Sequence, residues 1–89
     1  MDYHDYKWHK YSSNWYDDHT VRVICWECYE MPNMVIMSIK NEGTKEYYFR
    51  VLRMDADCTL HDITGKLKHI YLAKWQAWKY YFSEGIKEI

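Results

Sequence analysis

Four soft, metal-binding side chains fall in two short pairs, Cys25-Trp26-Glu27-Cys28 and Cys58-Thr59-Leu60-His61, and together they use all three cysteines of the chain. A structural Zn²⁺ needs thiolates or imidazoles converging at about 2.0–2.3 Å in a tetrahedron, and each local pair can supply one edge of it. Cys25, Cys28, Cys58 and His61 are therefore candidate zinc ligands. A second reading stands beside this one. In a regular strand, residues three apart point to opposite faces, so Cys25 and Cys28 share a metal only if the backbone bends between them. Otherwise the cysteines are small buried hydrophobes with free thiols. His4, His9, His19 and His69 have no ligand partner at metal spacing outside the N-terminal arm and read as ordinary imidazoles.

The elements that must position these residues are legible from pattern. Residues 20–29 are rich in β-branched and aromatic side chains and read as a strand, turned by Met31-Pro32-Asn33 into a second strand at 34–40. Asn41-Glu42-Gly43 reads as a three-residue hairpin loop with Gly43 in the left-handed position, leading to a third strand at 45–54. That loop sets Val35 opposite Phe49, Met37 opposite Tyr47 and Ile39 opposite Lys45, and continuing the face through Pro32 adds Ile24, Trp26 and Cys28.

Thr59 and Asp62 have the spacing of a capping box, which starts a helix over 59–82 that Ser83-Glu84-Gly85 stops. Leu60, Ile63, Leu67, Ile70, Tyr71, Trp75, Trp78, Tyr81 and Phe82 form its core-facing stripe, interrupted by Lys74, which must snorkel. Gly65 inside this helix has no evident reason.

Residues 1–19 form an acidic, aromatic arm. His4, Trp8, Tyr11 and Trp15 recur at helical spacing, so the arm is either a short helix or an ordered stretch covering the sheet. The expected fold is thus α+β: one domain over 1–89, with an arm at 1–19, a three-stranded antiparallel meander at 20–54 and one long C-terminal amphipathic helix packed on it.

A cysteine pair, a hairpin, and a helix whose first turn supplies the remaining ligands follow in that order over residues 25–82. The arrangement resembles the treble-clef zinc fingers. The resemblance implies that Cys25, Cys28, Cys58 and His61 close a structural zinc site with protein ligands alone. Tyr29 stands where the family's knuckle has glycine.

Composition bounds the function. The chain is 48% hydrophobic and 19% aromatic with few Gly and Pro, which excludes disorder, and its net charge of −1 provides no overall field for holding nucleic acid. Odd cysteines and an acidic, histidine-bearing N-terminus argue for a reducing, cytoplasmic setting, and no apolar run is long enough for a membrane span. Glycine-rich phosphate loops, nucleophile elbows and H-E-x-x-H are absent, so no enzyme is expected.

What remains is a small intracellular binding module. Ten Tyr and five Trp exceed what one face can bury and suit a protein interface, with Trp8, Tyr11 and Trp15 as candidate contacts. In size and composition, such a module is like the inhibitors and adaptors found among viral and phage proteins. The alternative is nucleic-acid binding through Arg50, Arg53, Lys66, Lys68 and Lys79, and exposed aromatics would also serve a homodimer.

Overall fold

In the computed structural model of the chain, which describes residues 3–83, a five-stranded antiparallel sheet packs one face against a single C-terminal helix. A 3-10 turn at Tyr3–Asp5 precedes strands β1 (His9–Tyr16), β2 (Val21–Glu27), β3 (Met34–Asn41), β4 (Glu46–Met54) and β5 (Leu60–Asp62), and helix α1 runs Ile70–Ser83. The strands lie in chain order, so every connection is a hairpin.

The α+β class and the central three strands agree with the pattern reading, but the sheet has two strands more. The aromatic arm is one of them. Its rings sit at helical spacing, yet Ser12, Ser13 and Asn14 are poor helix formers, and the segment gains a full ladder by pairing with β2. A bulge between Lys10 and Ser12 takes up Tyr11.

The other added strand removes half of the expected helix. Thr59-x-x-Asp62 is not a cap: the Thr59 N–H donates to Asp57 Oδ1 at 3.1 Å, Cys58 has φ 68°, and residues 60–62 pair with β4. Asp62 Oδ1 instead accepts the Gly65 N–H at 3.2 Å, and Gly65 has φ 72°, which explains the glycine that no helix could justify. Past β5 the chain bends at residues 63–65, pairs again through the Leu67–Phe49 bridge, and becomes helical only at Ile70. The expected stop at Glu84 and Gly85 lies outside the described residues.

The buried line of α1 is Ala73 and Ala77, both fully buried, while Tyr71 and Phe82 are exposed. These alanines let the helix approach β3 and β4 closely, and the large rings of Trp78, Tyr80 and Tyr81 pack around that contact. Tyr71 and Phe82, expected in the core-facing stripe, therefore lie outside it. Lys74 does meet the aromatic side of the core, beside Trp8, Trp26 and Ile70 around a small pocket of about 80 Å³.

The register of β3 on β4 also differs. Ile39 faces Tyr48, Met37 faces Arg50 and Val35 faces Leu52, three positions from the expected pairing. The turn spans residues 42–45: Asn41 Oδ1 accepts the Gly43 and Thr44 N–H groups at 2.9 and 3.1 Å, and Lys45, not Gly43, takes the positive φ of 62°. A Cβ at Gly43 would stand 3.2 Å from Thr20 Cγ2, a tight contact to which the threonine side chain would have to give way by a few tenths of an ångström.

An odd shift exchanges faces. Trp26–Ile36–Val51 and Ile24–Ser38–Phe49 run across the face under α1, while Cys25–Met37–Arg50 and Val23–Ile39–Tyr48 run across the opposite face. No helix of the described residues is long and apolar enough to cross a membrane.

Candidate docking face

The four residues expected to bind zinc are not brought together. β2 runs regularly through Cys25, whose pairing partner Met37 lies on the face away from α1, whereas Cys28 is buried in the core cluster on the helix side. Cys58 is exposed in the turn before β5, and His61 is on β5 with its Nε2 against Asp55 Oδ2. β2 and β5 are separated by β3 and β4, so roughly 14 Å of sheet lies between the two pairs. Ligands of one zinc stand about 2.0–2.3 Å from it, which that separation forbids.

Among the described residues no group of three or more His, Cys, Asp or Glu could hold a metal, and the architecture is a five-stranded sheet with one helix. The likeness to treble-clef fingers is thereby overturned. Burial is the chief cause raising the thiol pKa at both Cys25 and Cys28, although Cys25 also has hydrogen bonds to Tyr11 and Ser12 that pull the other way.

The basic residues expected to meet nucleic acid are mostly engaged. Arg50 pairs with Asp62 at 2.8 Å, Arg53 with Asp55 at 3.2 Å and Lys66 with Glu46 at 3.1 Å. Lys66 also lies over Tyr48, and Lys79 lies 5.0 Å from the centre of the Trp75 ring. Lys68 is exposed.

The three aromatic contacts expected on the arm separate. Trp8 packs against the core cluster. Trp15 is 45% exposed, with Arg22 over its ring at 5.6 Å. Tyr11, at the bulge, turns to the face opposite α1 and hydrogen-bonds Cys25; burial, then Cys25, raises its phenol pKa.

That face is the site that pattern reasoning missed. Val21, Val23, Cys25, Val35, Met37, Ile39, Tyr48 and Leu52 share it by register, and no helix or strand among the described residues packs on it, because α1 lies on the other face, chiefly against β3, β4 and the N-terminal turn. Val35, Ile39 and Leu52 are buried by their neighbours in the sheet, whereas Val23, Cys25 and Met37 are half-buried. Ion pairs line one side, where Arg50 meets Asp62 and Lys66 meets Glu46.

No family model, characterised protein or solved structure matches the chain.

A pocket of about 330 Å³ opens where this face ends, at the β2–β3 turn and the end of β4, and its floor reaches Cys28 and Met34 of the helix-side core. Tyr11, Glu27, Tyr29, Val35 and Met54 are among its lining residues. The signal that could have found the face is in β3: Met34-Val35-Ile36-Met37-Ser38-Ile39 is apolar at nearly every position, the mark of a strand buried on both sides.

Proposed function

We propose that the protein is a protein-binding module, an inhibitor or adaptor rather than an enzyme, which docks its partner on the sheet face opposite α1. The observation that carries this reading is the unpartnered apolar face itself. A sheet with apolar residues on both sides ordinarily sits between two layers, and here the described residues supply only one. Contiguous apolar surface rimmed by polar groups is characteristic of protein interfaces. The rim here is the Arg50–Asp62 and Lys66–Glu46 pairs, which also occupy cations that a phosphate backbone would require free.

The test compares the wild-type chain with Met37→Glu in pull-downs from a native extract at low and high salt. Met37 is half-buried at the centre of the face, so a carboxylate there can reach solvent while spoiling the surface. Association with a protein that survives high salt and is lost in Met37→Glu is the expected result. Retention of nucleic acid that falls steeply with salt and is indifferent to Met37→Glu would sink the reading.

A further inference from the structure

We infer that the 330 Å³ pocket at the end of the open face receives a basic side chain, lysine or arginine, of the docked protein partner. The inference rests on the reading of that face as a protein-docking surface.

The pocket combines three features that a long cationic side chain needs. Met34, Val35, Met54 and Pro32 offer apolar walls for an alkyl stem. Tyr11 and Tyr29 add aromatic rings, whose faces attract a cation within about 6 Å of the ring centre. Glu27 supplies the charge: it lines the pocket, is half-buried, and its carboxylate has no hydrogen bond or ion pair among the described residues.

A half-buried carboxylate without a partner is poorly served by its surroundings, and a cation brought in by a ligand would supply what the fold does not. Its influence is already felt at Tyr11, where the Glu27 charge helps raise the phenol pKa after burial and Cys25.

The neighbouring charges agree in sign. Glu30 follows on the same turn, where its carboxylate accepts only a long contact from the Cys28 thiol at 3.6 Å. The one basic group facing Glu27 across the strand pair is His9, and its ring is stacked on Tyr29, with centroids 4.4 Å apart and planes 15° from parallel, so it forms no ion pair with Glu27. Arg53, on the far side of the turn, is held by Asp55. A small pocket with apolar walls and one convergent charge is a common form of side-chain receptor.

The experiment titrates the intact ¹⁵N- and methionine-methyl-labelled chain with n-butylguanidinium, and separately with n-pentanol and pentanoate as neutral and anionic controls. Saturable shifts at Tyr11, Glu27, Tyr29 and the Met54 methyl are expected for the guanidinium, with a Kd of roughly 1–10 mM, fitting a group of this size. The controls should bind at least about tenfold more weakly, and Glu27→Gln should weaken the cation by a similar factor.

Equal affinity for n-pentanol would overturn the assignment, and so would shifts spread evenly over Glu46, Asp57 and the pocket. The comparison of probes on the wild-type chain decides this even if Glu27→Gln does not fold. No partner protein is used, so a failed titration leaves the docking experiment standing. Cation binding by a chain whose association ignores Met37→Glu would instead overturn the partner half of the inference.

Discussion

Ile36 and Met37 are neighbours on the central strand, and they live in different molecules as far as solvent is concerned. Ile36 is fully buried under α1, in a row with Trp26 and Val51 and beneath the paired alanines Ala73 and Ala77. Met37 looks the other way, in a row with Cys25 and Arg50, and no helix or strand among the described residues covers it. Both faces are apolar because β3 is apolar at successive positions rather than alternate ones. The difference teaches that hydrophobic pattern records a need for burial without recording what meets it: on one side the chain's own helix, on the other a surface left for something else.

The contrast can be broken most directly by cutting both residues to alanine. Ile36→Ala should cost about 2–5 kcal/mol in urea denaturation, because it opens a cavity in a sealed core. Met37→Ala, whose site is already half open to water, should cost about 1 kcal/mol or less. Equal losses would mean that the two faces are equally packed and that no docking surface exists. Between these lies Ala77→Leu, expected to cost about 1–3 kcal/mol, since Ala77 is fully buried and larger atoms there would overpack the contact between α1 and the sheet.

The same contrast explains what the sequence made legible. Strands β2, β3 and β4 were plain in the β-branched and aromatic runs, and a helix over residues 70–82 was legible, although its buried line of Ala73 and Ala77 was not. Which residues share a face was not. With β3 apolar on both sides, any register gives a plausible apolar pairing, so the decision fell to the turn, where Asn41 caps the loop and Lys45 takes the left-handed conformation that glycine was expected to take.

The false helix start has a similar origin: Asp57 and Asp62 both make side-chain-to-backbone bonds, and such residues serve turns as readily as caps. The treble-clef resemblance failed for want of the same information, since ligand spacing counts residues along the chain and β5 lies on the far edge of the sheet from β2.

The cysteines mark the two faces chemically and sharpen the comparison further. With Ellman's reagent Cys58, exposed in its turn, should react first. Cys25 on the open face should follow slowly, and Cys28, buried on the helix side, should react only as fast as the protein unfolds. The thiolate is the reacting form, and burial raises the pKa of Cys25, so its rate should still be climbing at alkaline pH where an unperturbed thiol has levelled off, whereas the unfolding-limited rate of Cys28 should not follow its thiol pKa. Chelator should leave both the order of reaction and the melting temperature unchanged. Release of a protected Cys58 by chelator would restore the four-ligand site.

The smallest effect belongs to the rim. Lys66 donates to Glu46 at 3.1 Å, and this bond, followed by the one from Thr44, holds the Glu46 carboxyl below its usual pKa. A carboxyl depressed in the folded state contributes stability that is present above its unfolded pKa, and that contribution is lost as pH falls through the folded one. Glu46→Gln should therefore melt slightly below wild type at neutral pH, with the gap closing below about pH 4.

The pair is open to solvent, so added salt should shrink the gap at neutral pH. A docked partner covering the face would shield the pair from salt. The gap between wild type and Glu46→Gln should then become salt-resistant in the complex while remaining salt-sensitive in the free protein. A gap that responds to salt identically in both states would place the partner somewhere other than beside this rim.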